Sequence, residues 1–328
     1  MQDDQRLIDL QHWLRDDLNI AFETIAPASD DASFRRYFRI KHEGESLIVM
    51  DAPPEKENCV PFINIANALL KTGLNVPRVL QQNPEQGFLL LSDLGSIQYL
   101  EQLNSESADR LYGDAFDALL LMHRSSENHM RLPPYDHTLL MKEMELVREW
   151  YLEKNLNITL TAQQHAVLDH TFELLAQSAL AQPQVLVHRD YHSRNLMVVE
   201  KDNPGVLDFQ DAIIGAITYD LVSLLKDCYI EWPRQQILDW VRNYHQRLLE
   251  HGIIDKVCEA QFIKWFDFIG AQRHLKVLGI FSRLNIRDGK SGYLKDIPLT
   301  LAYLVEVCSL YDELKPLGKL LDEVTSTH

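Results

Sequence analysis

Apolar residues recur at Leu7, Leu10, Trp13, Leu14 and Leu18, the stripe of a helix over residues 5–18. The pattern then changes to short β-prone runs, TIAPAS, RRYFRI and SLIVMD, punctuated by ASDDAS and KHEGE. The last two runs, joined by a short Glu-Gly turn, predict antiparallel strands, and Pro53 and Pro54 end the third run. A helix follows from about Glu57 to Lys71, with Gly73 suited to its C-terminal cap. VPRVLQ and GFLLLSD then read as two further strands. After Gly95 the spacing becomes helical over 107–124, 138–154 and 161–180, and Thr161 with Gln164 fits a capping box. One strand-rich insert, PQVLVHRDYHSRNLMVVEKDNPGVLDFQDA, interrupts this half, and helices resume near Tyr219. The pattern predicts an α+β chain with two parts: a small antiparallel β lobe over 1–95 and a larger helical lobe over 96–328, joined by a connector near Ser92–Ser96.

Composition narrows the classes. The 328 residues carry 46 % hydrophobic and 24 % charged positions, the balance of an ordinary globular protein. A formal net charge of −16 argues against nucleic acid as a partner, because Lys and Arg neutralising phosphates supply most of that affinity. The first residues, MQDDQRLIDLQHWLRDDL, lack a basic n-region and an apolar h-region, and no run reaches the ~18 apolar residues of a membrane span. Cys59, Cys228, Cys258 and Cys308 are far apart with no CxxC spacing, so they read as reduced core residues. The expectation is a cytoplasmic monomer without a membrane or nucleic-acid partner.

The insert carries the chemistry. His188-Arg189-Asp190-Tyr191-His192-Ser193-Arg194-Asn195 lies between the apolar runs VLVH and NLMVV, and Leu207-Asp208-Phe209 closes a third, GVLD. Phosphoryl transfer needs a carboxylate to orient the attacking hydroxyl and accept its proton, and oxygen ligands for Mg²⁺. Asn195 offers a carbonyl oxygen and Asp208 a carboxylate, hard ligands of the kind magnesium prefers. Neighbouring strand ends are expected to bring them together with Asp190. Any one of these residues alone would be ordinary turn chemistry, but the joint pattern at fixed offsets is not.

HRDxxxxN followed by DF resembles the catalytic and metal-binding loops of protein kinases. His192 and the lack of an APE-like segment resemble more closely the aminoglycoside phosphotransferase and choline kinase superfamily, with its bilobal protein-kinase-like fold. SDDASFRRYFRI, LIVMDAPPEKE, GFLLLSDLGS, HRDYHSRNLM, LDFQDA and QRHLKVLGIFSRLNIRDGKSGYL look like the branch of anomeric amino-sugar kinases. Members of that branch phosphorylate the 1-hydroxyl of N-acetylmuramate and N-acetylglucosamine in cell-wall recycling. The resemblance implies ATP and Mg²⁺ as cofactors and an amino sugar as acceptor. Asp190 would be the base, supported by His188 and Arg189, with Asn195 and Asp208 as metal ligands. Asp220 would hydrogen-bond the catalytic-loop backbone, the Ser92 carbonyl and Leu94 amide would meet adenine, and Gln210 and Asp211 would line the acceptor pocket. His192 would orient the loop or touch substrate, with simple packing an equal alternative.

Two departures stand out. The expected phosphate loop, PASDDASFRR, has no glycine, leaving Ser33, Arg35 and Arg36 as candidates to face phosphate. The third strand lacks the VAIK-type lysine, and Arg36, Lys41 and Lys56 are alternatives for its charge, with Glu57 as a partner acid. On the acceptor side Gln272, Arg273, Lys276, Arg283 and Arg287 are candidates for an acetamido group or a lactyl carboxylate. The plainer reading there is an amphipathic helix with one charged and one apolar face. Trp232, Trp240 and Trp265 are candidates to stack on a sugar or to fill the core. Competing classes are another small-molecule kinase, disfavoured by the net basic stretch 272–290, and a nucleotide-binding pseudokinase.

Overall fold

The computed structural model describes residues 4–29, 34–124 and 132–325. In chain order the elements are α1 (Gln5–His12), β1 (Ile25–Ser29), β2 (Arg36–His42), β3 (Glu45–Asp51), α2 (Cys59–Lys71), β4 (Val79–Asn83), β5 (Phe88–Ser92), α3 (Tyr99–Gln102) and α4 (Ala108–Arg124). There follow α5 (His137–Leu146), α6 (Ala162–Leu180), β6 (Gln184–Val187), β7 (Leu196–Met197), β8 (Gly205–Val206), β9 (Ile213–Ala216) and α7 (Tyr219–Leu225). The chain ends with α8 (Arg234–Glu250), α9 (Glu259–Asp288), α10 (Ile297–Leu310) and α11 (Lys315–Thr325). They fall into two compact units: residues 1–122, 128–130 and 194–211 form one, and 123–127, 131–193 and 212–328 the other.

The first unit is built on an antiparallel sheet ordered β1-β2-β3-β5-β4. Glu43 and Gly44 both take positive φ, 50° and 85°, the two-residue turn whose twist matches that of the β2 and β3 strands it joins. Residues Phe38, Ile40, Leu47, Val49, Phe88 and Leu90 alternate onto one face and form a core with Leu10, Trp13 and Leu14, which is where the N-terminal stripe goes. That helix widens into a π-helical turn over Trp13–Asp17. Strand β5 is interior to the sheet and buried from Phe88 to Leu91, so its apolar run is continuous rather than alternating. Helix α2, capped by the Asn58 side chain, buries Phe62, Ile65, Ala66 and Leu69.

The second unit is mostly helical, around α9, whose residues from Phe266 to Leu278 are all buried. Helices α5, α6, α7, α8 and α10 pack against it. Gly279 allows the closest approach: a Cβ there would lie 2.3 Å from the Leu146 carbonyl carbon at the end of α5. The capping box at Thr161 and Gln164 is present at the start of α6. The helical spacing over 138–154 spans α5 and a π-helical continuation over Val147–Asn155.

The plainer reading of α9 as an amphipathic helix with a solvated charged face is corrected. Asp267, Gln272, Arg273, His274 and Lys276 are buried together with the apolar positions. The helix is enclosed on all sides, and its polar residues are kept there by internal partners. Cys258 is exposed, unlike the other three cysteines, which are buried as expected.

Candidate active site

In the second unit the loop after β6 begins where Val185, Leu186 and Val187 bury themselves against β9. Arg189 sits at φ +78°, a left-handed conformation that costs energy for any side chain but glycine. The cost is offset by Asp220 on α7, whose carboxylate accepts the His188 N–H at 2.6 Å and the Arg189 N–H at 3.0 Å. Burial pushes the Asp220 carboxyl up to about 6, against the opposing pull of His188 and these two donors. Seven residues on, Asp227 accepts the Ser193 N–H at 3.0 Å, the Ser193 hydroxyl and the Tyr229 N–H at 3.2 Å. Two buried acids thus hold the two ends of the loop.

The Arg189 side chain is held as firmly. Its guanidinium pairs with Glu143 of α5, whose other oxygen accepts the Tyr135 hydroxyl and lies 3.3 Å from Lys276 Nζ. Lys276 also donates to the Tyr219 hydroxyl at 3.1 Å, and Gln272 Nε2 to the Tyr135 hydroxyl at 3.1 Å. Burial alone would raise the Asp190 pKa, but Lys276, Arg273 and Arg189 are among the charges that outweigh it and hold the carboxyl below the usual aspartate range. His192 contributes to this only when protonated, and burial lowers its own pKa, so its ring is neutral near pH 7. That ring stands edge-on to Tyr229 at 5.5 Å, and its buried Nδ1 has no hydrogen-bond partner among the described residues. Arg273 is buried, with Nη1 3.8 Å from the Cys228 sulfur.

The chain passes into the first unit after Ser193 and leaves it after Asp211. There the short pair β7–β8 and the Leu207 N–H bond to the Asn195 carbonyl, 2.9 Å, bring Asn195 beside Asp208. Asn195 Nδ2 lies 3.3 Å from Asp208 Oδ2, and Gln210 Nε2 donates to Asp208 Oδ1 at 2.6 Å. Asp208 has φ +63°, in the left-handed region like Arg189. Phe209 is buried against Phe62 of α2, ring centroids 4.9 Å apart. Gln210 is buried and Asp211 exposed. Among the described residues no group of three or more His, Cys, Asp or Glu side chains could hold a metal. The chemistry of the Asn195–Asp208 pair fits magnesium, since the Asn195 amide oxygen and the Asp208 carboxylate are hard donors, although it is Asn195 Nδ2 that faces Asp208 in this structure.

At the connector the Ser92 hydroxyl accepts the Arg78 N–H at 2.9 Å, and Leu94 packs over Gly205. Asp93 fastens the segment, accepting from Arg39 Nε at 2.6 Å, from the Ser46 hydroxyl and from the Gly95 N–H at 2.9 Å. At the paired ends of β2 and β3, Asp51 is fully buried between Arg6 and Arg36, and Arg36 reaches Asp4 as well. Arg35 pairs with Glu57 at 2.9 Å. Ser33 lies outside the described residues. Of the remaining candidates, Lys56 sits over the Phe34 ring, Arg287 pairs with its neighbour Asp288, and Trp232 meets Trp240 edge to face.

Glu143, Asp227, Asp93 and the two tyrosines Tyr135 and Tyr219 did not stand out in the sequence. Glu143, Asp227 and Tyr135 lie in stretches without a motif, whereas Asp93 lies within GFLLLSDLGS and Tyr219 directly precedes Asp220 without having been assigned a role.

Comparison with known proteins gives the family and the fold. The phosphotransferase enzyme family matches residues 24–253. A curated relative from Pseudomonas putida, an N-acetylmuramate/N-acetylglucosamine kinase, is 45 % identical over 98 % of this chain and 97 % of its own. Relatives of the same name from Pseudomonas aeruginosa and Neisseria meningitidis are 43 % and 40 % identical over 98 % of this chain and 97 % and 96 % of theirs. Among solved structures, the GDP complex of an aminoglycoside 2′-phosphotransferase aligns with TM-score 0.65 at 14 % identity, over 91 % of this chain and 99 % of that one. An ethanolamine kinase from Plasmodium vivax aligns with TM-score 0.62 at 12 % identity, over 94 % and 89 %. The chain is therefore a member of the phosphotransferase enzyme family, a kinase that transfers a phosphoryl group to an alcohol.

Proposed function

We propose that this kinase phosphorylates the anomeric hydroxyl of N-acetylmuramate and N-acetylglucosamine, with ATP as donor. The observation that carries the acceptor is identity of 40–45 % to kinases of that name along nearly the whole chain. Asp190 is the base. A carboxylate kept ionised beside Lys276, Arg273 and Arg189 suits a hydroxyl whose proton is more acidic than that of an ordinary sugar alcohol. Asp190 orients O1 and takes its proton as the O1–Pγ bond forms and the bond from Pγ to the β,γ-bridging oxygen breaks, releasing ADP. His188 and Arg189 fix the loop. Asn195 and Asp208 would hold Mg²⁺, which when bound neutralises charge on the phosphate oxygens. Gln210 orients the Asp208 carboxylate, and the backbone at Ser92 and Leu94 receives adenine. Arg273, Gln272, His192 and Asp211 serve the sugar.

The reading includes a monomeric enzyme in a reducing, cytoplasmic compartment, in keeping with four free cysteines. Among the described residues no helix is long and apolar enough to cross a membrane. The test is incubation with Mg-ATP and, separately, N-acetylmuramate, N-acetylglucosamine, glucosamine, choline and an aminoglycoside. The expected products are the 1-phosphates of the first two; absence of both overturns the acceptor assignment.

A further inference from the structure

Enclosed cations of the second unit sit against carboxylates. Lys226 is fully buried and meets Asp267 at 3.5 Å and Glu306 at 3.4 Å. Lys276 meets Glu143 at 3.3 Å, and the Arg189 guanidinium rests on the same acid. Arg234 pairs with Asp267 at 2.7 Å. Each contact offsets the cost of taking a charge out of water.

Arg273 on α9 departs from this pattern. It is 4 % exposed, and among the described residues its side chain makes one hydrogen bond, from Nη1 to the Cys228 sulfur at 3.8 Å. Burial pushes the Cys228 thiol up, so that partner is a neutral thiol and a weak acceptor. Asp190, Asp227 and Tyr219 act on the guanidinium through space, without an ion pair. Asp227 is already engaged by the N–H groups of Ser193 and Tyr229. A guanidinium does not escape burial by losing its proton, so most of its five-donor fork stands ready for an acid from another molecule. The other arginines of α9 are placed differently: Arg283 lies about 15 Å farther along the helix, and Arg287 is exposed and paired with Asp288.

We infer that the Arg273 guanidinium binds the lactyl carboxylate of N-acetylmuramate and makes this kinase prefer that sugar to N-acetylglucosamine. The inference rests on the acceptors proposed above. Of the two, N-acetylmuramate alone carries an anion, on the lactyl ether at O3. A carboxylate and a guanidinium are both planar and match through two parallel N–H···O bonds. The position suits this. Asp190 takes its proton from O1, C1 and C3 are separated by a single ring carbon, and Arg273 is near enough for its charge to act on the Asp190 carboxylate. N-acetylglucosamine leaves the fork to water.

The test compares N-acetylmuramate, its lactyl carboxamide (similar in shape, uncharged) and N-acetylglucosamine on full-length parent, Arg273→Gln and Arg273→Lys. Binding is measured by calorimetry without nucleotide, and kcat/KM at saturating Mg-ATP. The parent should bind the acid about 10- to 100-fold more tightly than the carboxamide, as expected of one charge-assisted bidentate contact. In Arg273→Gln that ratio should fall to within about threefold of unity, and the kcat/KM ratio of N-acetylmuramate to N-acetylglucosamine should drop in step. Ratios cancel the loss of a positive charge near Asp190, which every sugar shares. Arg273→Lys should keep part of the preference, having the charge without the fork. An acid preference that survives in Arg273→Gln, or equal losses for all three sugars, would overturn the inference. So would a matching loss of ATP affinity, which would put the guanidinium on phosphate instead. If Arg273→Gln does not fold, the acid-to-carboxamide ratio in the parent and its reduction in Arg273→Lys decide in the same way. Turnover of both sugars without an acid preference would sink this inference and leave the acceptor assignment standing; Arg273-dependent binding of the acid without turnover would do the reverse.

Discussion

The two units hold their functional groups in different ways. Around the catalytic loop of the second unit the ion pairs are enclosed: Arg189 and Glu143 are 19 % and 10 % exposed, Lys276 is 8 %, and Asp220 and Asp227 are buried. At the paired ends of β2 and β3 in the first unit Arg36 and Asp4 are 36 % and 43 % exposed, and only Asp51 of the three is fully enclosed. Water can replace a partner in the second setting but not in the first, so losing one member of a buried pair is severe while an exposed pair contributes little. The loop that carries Asp190 is built from irreplaceable parts. The strand ends of the first unit rest on adjustable ones.

The largest effect expected is on turnover. Asp190→Asn removes the proton acceptor and should lower kcat by about 10²–10⁴-fold. The melting temperature should hold or fall, since the ionised carboxylate is held by Lys276, Arg273 and Arg189 and its loss leaves those cations less compensated, while the loop's backbone supports remain. A variant that retained more than a tenth of the parental rate would remove Asp190 as base and weaken the contrast between the units at its centre.

Next comes the support of the loop. Asp220→Ala orphans the His188 and Arg189 N–H groups at a strained φ, and each buried unpaired donor costs about 1–3 kcal/mol. A combined loss near 2–4 kcal/mol by denaturant titration is expected, with kcat falling as Arg189 relaxes. The pH dependence has a defined sign. The folded-state carboxyl is raised to about 6, so between the unfolded value near 4 and about 6 the folded state binds more protons. This group's contribution therefore falls as pH rises through that window and levels off above it. Asp220→Asn should flatten that slope, and an unchanged slope would assign it to other groups.

Packing offers a third contrast. A Cβ at Gly279 would lie 2.3 Å from backbone of Leu146, whereas at Gly44 it would meet nothing within 4 Å. Gly279→Ala must push α9 from α5 and should cost about 1–3 kcal/mol. Gly44→Ala faces only its φ of +85° and should cost about 1 kcal/mol. Equal losses at the two sites would show that α9 yields more easily than its burial implies.

Much of this was legible beforehand, for identifiable reasons. The stripe from Leu7 to Leu18 announced its helix because one face meets a sheet and the other meets water. The Glu-Gly turn, the helix expected from about Glu57 to Lys71 and found over Cys59–Lys71, and the capping box at Thr161 followed from local backbone chemistry. Asn195 and Asp208 were readable as neighbours because a two-residue strand pair separates them. Helix α9 was misread because the usual association of charge with solvent fails where Glu143, Tyr135 and Tyr219 supply partners from distant parts of the chain. Glu143 and Asp227 were hidden for the same reason: a residue's value as a support depends on what tertiary folding brings to it. The choice among Arg36, Lys41 and Lys56 was likewise closed to sequence, since all three are simply cations until their acids are located.

The smallest effect is expected at the paired ends of β2 and β3. Arg36→Gln leaves Asp51 with Arg6, whose Nε stays 2.9 Å from Oδ1, and leaves Asp4 in water, where it is already 43 % exposed. The Arg36 partners pull its pKa upward, led by Asp4, but with the side chain 36 % exposed most of that attraction is screened by solvent. The loss should stay under about 1 kcal/mol and shrink further at 1 M salt, where exposed pairs contribute least. The measurement is a pair of denaturant titrations at low and high salt. A loss of several kcal/mol that persists at high salt would mean that Arg36 is the irreplaceable neutraliser of Asp51. Those strand ends would then belong with the catalytic loop among the enclosed, unforgiving parts of the molecule, and the contrast between the two units would narrow to their packing.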